Sequence, residues 1–140
     1  MSNAAKRKLR MAMIGGGPGA MIGEMHRAAA RLDGRMELVA GAFSSHPEKS
    51  QRQGEALFLD PARVYGDWRE MIRAEAARPA DSRTDLVSIV TPNHLPMEQS
   101  VAALAAGCPP VQDTPMTRPL AVARRLPAVL RAGARVPAPP

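Results

Sequence analysis

Short apolar runs alternate with segments of helical periodicity along most of this chain, and that alternation constrains its fold more than any other feature. The run from Leu86 to Val90 is almost continuously apolar, as in strands buried on both faces of a sheet. The strand-like runs are Leu9 to Ile14, Met36 to Phe43, Arg63 to Tyr65, Asp85 to Thr91 and a short run around Pro110 to Gln112. Strands interleaved with helices predict an α/β fold with a doubly wound, mostly parallel sheet.

The segments between these runs carry helix signals. From Ala20 to Leu32 apolar residues fall at helical spacing, namely Met21, Ile22, Met25, Ala28, Ala29 and Leu32. A second helix is predicted from Pro47 to Leu57, with proline in its first turn. Asp67 is suited to cap a third helix, which runs to about Ala77, and the fourth is predicted from Pro96 to Ala106.

Length and cysteine content exclude several classes of protein. The chain has 140 residues, enough for one domain whose core needs no disulfide or metal. Its single cysteine, Cys108, excludes an internal disulfide and a multi-cysteine zinc site. Its apolar stretches are far shorter than the roughly 20 residues that cross a bilayer, and no signal peptide opens the sequence. We therefore expect a cytoplasmic protein with no metal site and no membrane contact.

The net charge of +6 is concentrated at the two ends of the chain. Nine basic residues lie at these ends, whereas the segment from Met11 to Thr117 without them carries a charge of −3. The nine are Lys6, Arg7, Lys8, Arg10, Arg118, Arg124, Arg125, Arg131 and Arg135. No aromatic residue on which a nucleic-acid base could stack lies in either cluster. These ends are therefore predicted to be solvated flanks rather than a nucleic-acid surface. Residues 1–8 would form a flexible N-terminus, and residues 119–140 a helix-like, proline-rich tail.

A glycine-rich turn, Gly15-Gly16-Gly17-Pro18-Gly19-Ala20, joins the first predicted strand to the first predicted helix. It matches the pattern G-x-G-x-x-A, in which the first glycine permits a tight turn and the second lets a pyrophosphate approach the main chain. Ala20 would let the helix lie close to the strand, and the N–H groups at the helix start would face the phosphates. The pattern predicts a dinucleotide-binding domain over residues 9–118, with Gly15, Gly17, Pro18, Gly19 and Ala20 at the cofactor.

The second predicted strand ends in Ser44 and Ser45, where an acid that binds the ribose hydroxyls would indicate NAD. Small hydroxyls followed by the cations of Lys49 and Arg52 can accept a 2′-phosphate, which slightly favours NADP over NAD. The alternative is that the two serines are an ordinary helix cap. The residues alone leave both interpretations open.

Polar residues also follow the most apolar strand, in Thr91-Pro92-Asn93-His94. The carboxyl ends of parallel strands line the ligand crevice in doubly wound folds. For His94 the residues alone leave three roles open: contact with a ligand, transfer of a proton, or a place in a helix-capping loop.

From Leu9 to about Leu120 the chain resembles the N-terminal domain of the glucose–fructose oxidoreductase / inositol dehydrogenase (Gfo/Idh/MocA) family. The matching segments are the glycine-rich turn, Leu38 to Gly41, Val87 to His94, and the run from Ala102 to Gly107 that leads to Asp113-Thr114-Pro115. The resemblance implies a Rossmann-type fold that binds NAD or NADP over the glycine-rich turn. Thr91, Pro92 and Asn93 would lie along the far side of the cofactor, with His94 near the crevice. The implied reaction is hydride transfer to or from a sugar or polyol.

The chain also departs from that family. Its members usually carry Glu/Asp-Lys-Pro where this chain has Asp113-Thr114-Pro115, so Asp113 is kept as a cofactor-binding position but the lysine is replaced. Thr114 lacks the ammonium group that would polarise a hydroxyl or carbonyl of the substrate. We also expect the family's second, substrate-binding domain to be absent. We therefore assign no catalytic residue and expect the isolated chain to bind NAD(P) without turnover. The alternative is a degenerate or truncated relative that acts as a non-catalytic binding or interaction module.

Beyond the last predicted strand, apolar residues follow helical spacing closely enough to form a stripe. They are Leu120, Val122, Leu126, Val129 and Leu130. Such a stripe, left uncovered, is a contact surface. We expect either a homodimer through residues 119–133 or a separate substrate domain as the partner. Pro109 and Pro110 would blunt the last strand, a sheet edge, against pairing with another chain.

Overall fold

A computed structural model describes residues 7–92 and 96–112 of the chain. The elements follow in the order β1 (Leu9–Gly15), α1 (Met21–Arg31), β2 (Met36–Ala42), α2 (Pro47–Ala56), a 3₁₀ helix (Pro61–Arg63), α3 (Trp68–Ala76), β3 (Leu86–Val90), α4 (Pro96–Ala105) and β4 (Pro110–Gln112). The predicted α/β class is confirmed. No helix in the described part of the chain is long and apolar enough to span a membrane.

The strands lie in the order β2-β1-β3-β4, and each neighbouring pair is parallel. The chain passes from β1 outward to β2 and then returns to the other side of β1 for β3 and β4. This reversal of direction is the doubly wound topology that the sequence predicts. It opens a crevice at the carboxyl ends of β1 and β3, where ligands bind in folds of this kind.

The run from Arg63 to Tyr65, predicted as a further strand, makes a single bridge instead. Val64 pairs with Gly41 of β2, and the N–H group of Tyr65 donates to the carbonyl oxygen of Gly41 at 2.8 Å. A 3₁₀ helix ends at Arg63 and α3 is capped by Asp67, so too few extended residues lie between them for a longer ladder. The described sheet therefore has four strands rather than five.

Strand β1 lies at the centre of the core. Met11, Ala12, Met13 and Ile14 are all buried, at 3% exposure or less. Ala12 and Ile14 face the side of the sheet covered by α3 and α4, whereas Met11 and Met13 face the side covered by α1. Both faces of the sheet are therefore apolar and covered, which explains the nearly continuous apolar runs.

Helix α1 does not pack through the apolar residues that predicted it. Met21, Met25 and Leu32 are 67%, 59% and 90% exposed. The buried residues of the helix are Gly23, Arg27 and Ala30. Small residues on that face let the helix axis approach the sheet closely, and the larger apolar side chains are left outside.

Arg7, in the predicted basic flank, is half-exposed and also makes a specific ion pair. Its guanidinium forms a bidentate ion pair with the carboxylate of Asp85, with N–O distances of 2.6 and 2.8 Å. The same carboxylate accepts a hydrogen bond from the backbone N–H of Arg10 at 2.8 Å. These contacts tie the residues at the start of β1 to the residue before β3.

Candidate functional site

A cleft of about 870 Å³ opens at the carboxyl ends of β1, β2 and β3. The lining residues are Ile14, Gly15, Gly16, Ala20, Met21, Ile22, Ala42, Phe43, Ser44, Ser45, Gly66, Asp67, Trp68, Arg69, Val90, Thr91, Pro92 and Gln99. The cleft is within the size range of small-molecule sites and lies where the strand order reverses.

The glycine-rich turn forms one wall of this cleft. Gly15, Gly16 and Gly19 have positive φ values of 82°, 70° and 78°, which glycine adopts far more readily than other residues. Gly17 has an ordinary φ, but a Cβ atom there would lie 2.9 Å from the carbonyl oxygen of Phe43. The turn therefore rests on the residue that follows β2, and glycine is needed at position 17 whether or not a ligand binds. Three residues link Gly16 to Ala20. Of these, Gly17 is half-buried, and Pro18 and Gly19 are exposed.

Helix α1 begins at the cleft without a side-chain cap. Ala20 is its N-cap residue and makes no side-chain hydrogen bond, and Met21 and Ile22 of the first turn line the cleft. Uncapped N–H groups and the positive end of the helix dipole together attract anions. Helix and turn approach each other closely at Gly23, because a Cβ atom there would meet the backbone of Gly16.

Ser44 and Ser45 line the cleft after β2, and neither is the N-cap of α2. That position is held by His46, whose backbone N–H donates to the Ser44 hydroxyl at 3.2 Å. The helix-cap interpretation of the two serines therefore does not hold. Lys49 and Arg52 are exposed on α2 and lie outside the lining of the cleft.

Thr91 and Pro92 line the cleft at the end of β3. The hydroxyl of Thr91 donates to the side-chain oxygen of Gln99 at 2.6 Å, and Gln99 is fully buried on α4. On another wall, the guanidinium of Arg69 stacks over the indole ring of Trp68 at 4.2 Å. Sequence patterns did not single out Gln99, Trp68 or Arg69 for the site, because only the sheet topology brings the starts of α3 and α4 to the cleft.

Four residues of the predicted site region, Asn93, His94, Asp113 and Thr114, lie outside the described residues, as does the segment 119–133. Within residues 7–92 and 96–112, no three His, Cys, Asp or Glu side chains cluster as a metal ion would require. The described cleft is lined by backbone N–H groups, hydroxyls, two aromatic rings and the charged side chains of Asp67 and Arg69.

Comparison with known proteins agrees with this geometry. Residues 9–136 match the GFO_IDH_MocA family model, described as the oxidoreductase family with an NAD-binding Rossmann fold. The uncharacterized oxidoreductase YfiI of Bacillus subtilis (strain 168) is 36% identical over 111 residues, which make up 79% of this chain and 28% of that protein.

Solved structures show the same likeness. An oxidoreductase from Sinorhizobium meliloti is 45% identical with a TM-score of 0.80, and the match covers 88% of this chain and 34% of that one. An inositol dehydrogenase homolog from Azotobacter vinelandii, complexed with NADH and myo-inositol, is 39% identical with a TM-score of 0.85. That match covers 92% of this chain and 34% of the homolog.

The chain thus spans about a third of the length of these relatives. The matched region of the family model contains the glycine-rich turn, the serines after β2 and the segment after β3. This chain belongs to the Gfo/Idh/MocA oxidoreductase family and carries its NAD-binding Rossmann fold.

Proposed function

We propose that this chain binds a nicotinamide dinucleotide in the cleft, with the pyrophosphate over the turn from Gly15 to Ala20. The uncapped N-terminus of α1, which begins on the cleft wall, carries this proposal. Its free N–H groups and helix dipole favour an anion, and positive-φ glycines let that anion approach the backbone. Membership in an NAD-binding family supports the same ligand.

The other cofactor contacts follow from the lining of the cleft. Ser44 and Ser45 would hold the ribose of the adenosine half. Thr91 and Pro92 would lie along the nicotinamide half. The family resemblance adds three positions outside the described residues, namely Asn93, His94 and Asp113.

We propose a preference for NADPH over NADH of about tenfold, the value of one charge-assisted contact to the 2′-phosphate. The support is that hydroxyls, not a carboxylate, follow β2, with Lys49 and Arg52 exposed on the next helix. Ser44→Asp should reverse the preference through charge repulsion. Equal affinity for the two cofactors, or tighter binding of NADH by the parent chain, would contradict this preference.

A bound nicotinamide supplies or accepts a hydride, and we propose a sugar or polyol carbon as the other partner. We further propose that the isolated chain binds the cofactor without turnover. Thr114 stands where the family has lysine, and the chain spans about a third of its relatives. The same threonine favours the second candidate function, a non-catalytic binding module. Reduction of NAD(P)+ by myo-inositol in the presence of the chain would contradict both the absence of turnover and the non-catalytic binding module.

The binding proposal can be tested with intrinsic fluorescence. Trp68 is the only tryptophan and lines the cleft, so energy transfer from its indole to bound NADH or NADPH reports affinity. Ala20→Asp should place a carboxylate on the first-turn N–H groups, which stabilises the helix by about 1 kcal/mol and repels a phosphate. We expect the Kd for NADPH to rise at least about tenfold, with a smaller rise in the neutral control Ala20→Ser. Full affinity in Ala20→Asp would overturn the proposal.

We also propose that residues 119–133 contact a second copy or a substrate domain, because five apolar residues there follow helical spacing. Sedimentation velocity should then show an average mass that rises with protein concentration when no other domain is present. A monomer at every concentration would contradict self-association.

We also propose a cytoplasmic location, which the free thiol of Cys108 supports because cysteines stay reduced in that compartment.

A further inference from the structure

We propose that Arg27 is a positioning residue for the phosphate site, holding the Gly16–Gly17 peptide so that the Gly17 N–H faces the bound pyrophosphate. This inference rests on the proposed dinucleotide function and extends it to a residue that does not itself reach the cleft. Three features of the structure support it: a buried hydrogen bond, the geometry of one peptide group and an unpaired charge.

The guanidinium of Arg27 lies directly beneath the glycine-rich turn. The side chain is only 4% exposed, and its Nη1 atom donates to the carbonyl oxygen of Gly16 at 2.9 Å. The same nitrogen lies 3.4 Å from the sulfur of Met13 on β1. Cβ atoms on Gly16 or Gly23 would lie within 3.2 Å of it. Both glycines therefore make room for the guanidinium, which fills the space between turn, strand and helix.

The hydrogen bond to Gly16 fixes the direction of the next N–H group. The described chain contains no cis peptide bond, and in a planar trans peptide the C=O and N–H groups point in opposite directions. The Gly16 carbonyl points inward to Arg27, so the N–H group of Gly17 points to the side opposite the buried guanidinium. This is the side on which a pyrophosphate would lie at a glycine-rich turn.

The charge of Arg27 acts in the same direction. No carboxylate of residues 7–92 or 96–112 forms an ion pair with it, and its hydrogen-bonding partner is a neutral carbonyl. Burial is the main cause that lowers the pKa of Arg27, yet an arginine stays protonated in a protein. Glu24, one turn earlier on α1, attracts this cation without forming an ion pair with it, so a positive potential remains beneath the turn. An anion on the turn would compensate that potential.

The test compares Arg27→Met and Arg27→Lys with Arg31→Met, a control that removes an exposed arginine from the same helix. NADH affinity is measured by energy transfer from Trp68, adenosine affinity by NMR titration, and folding by the urea midpoint. Arg27→Met should fold, with a lowered urea midpoint because the carbonyl oxygen of Gly16 loses its donor. Its Kd for NADH should rise at least about tenfold and its Kd for adenosine less than about twofold. Arg27→Lys should restore most of the NADH affinity, and Arg31→Met should lose almost none.

Unchanged NADH affinity in Arg27→Met would overturn the inference. Equal losses of NADH and adenosine affinity would also overturn it, because they would assign Arg27 a purely structural role. If Arg27→Met does not fold, Arg27→Gln replaces it in the comparison with the same expected losses. A parent chain that does not bind NADH would overturn the proposed function itself, and this inference with it.

Discussion

A Cβ atom placed on Gly23 would lie 2.5 Å from the Cα atom of Gly16, far inside van der Waals contact. These two glycines set the distance between helix α1 and the turn that precedes it. The glycine pattern predicts that Ala20 lets the helix lie close to the strand, but it contains no signal for the contact between Gly23 and the turn. The relationship between Gly16 and Gly23 thus makes the geometry of the glycine-rich turn, the proposed phosphate site, depend on a residue within the helix.

Gly23→Ala should destabilise the protein, although alanine is normally the better helix residue by about 1 kcal/mol. The added methyl group must displace the backbone of Gly16, an overpacking that costs about 1–3 kcal/mol. Urea unfolding measures the effect. In the matched control Ala29→Gly, on the exposed side of α1, we expect only the propensity loss of about 1 kcal/mol. Stabilisation by Gly23→Ala would show that α1 does not pack this closely.

Glu75, on α3, connects three side chains. Its carboxylate pairs with the guanidinium of Arg63 at 2.5 Å and with that of Arg78 at 3.3 Å, and it accepts the hydroxyl of Tyr65 at 3.0 Å. Glu75→Gln should lower the free energy of unfolding by about 3 kcal/mol, because it leaves Arg63, whose side chain is 11% exposed, without a counter-charge. Glu98→Gln breaks the exposed pair with Arg69 and should cost under about 1 kcal/mol. Similar losses in the two variants would contradict the burial of the Glu75 cluster.

Cys108 should be unreactive in the folded protein. Burial raises the pKa of its thiol to about 11 from an ordinary value of 9.0. At mildly alkaline pH an aromatic disulfide reagent should therefore modify it only after unfolding. As pH rises, the thiol ionises in the unfolded chain before it ionises in the folded protein. Its contribution to the free energy of unfolding is therefore fully present below pH 9 and is lost as pH rises toward 11. Cys108→Ala should make that alkaline decline shallower, and an equally steep decline would argue against a buried thiol.

Asp85 should govern part of the acid unfolding. Its hydrogen bonds with Arg7 hold the pKa of the carboxyl below its usual value, against the opposing effect of burial. The contribution of Asp85 to the free energy of unfolding is therefore fully present above the ordinary pKa of an aspartate. It is lost as pH falls through the lower pKa that Asp85 has in the folded protein. Arg7→Gln should move acid unfolding to higher pH. Arg35→Gln, from an exposed pair with Asp33, should leave it unchanged. Identical acid transitions in parent and Arg7→Gln would show that this pair does not persist in solution.

Local sequence signals were sufficient for most of the fold. Asp67 caps α3 and Pro47 opens α2, because each signal acts within a few residues of its own backbone. The glycine-rich turn likewise has positive φ values at Gly15 and Gly19. In each case the physical cause lies inside one short segment.

Contacts between distant segments could not be predicted in the same way. Hydrophobic periodicity treats Arg27 as an exposed residue, but its side chain is buried and donates to the carbonyl oxygen of Gly16. Gln99 reaches the cleft only because β3 ends beside α4, where it binds Thr91. Val64 forms a single bridge rather than a strand because only a few residues separate the 3₁₀ helix from α3. These features depend on tertiary packing, which a single sequence does not display.

Mapping backbone amide chemical shifts during an NADPH or NADH titration tests dinucleotide binding in the cleft most directly. The largest shifts should fall in Gly15 to Ile22, Ser44, Ser45 and Thr91, and they should saturate together. A second apolar groove lies between α3 and α4, lined in part by Ile72, Ala76, Val101 and Ala105, and should change little. Saturable shifts concentrated in that groove, or no saturable shift anywhere, would contradict the proposed site.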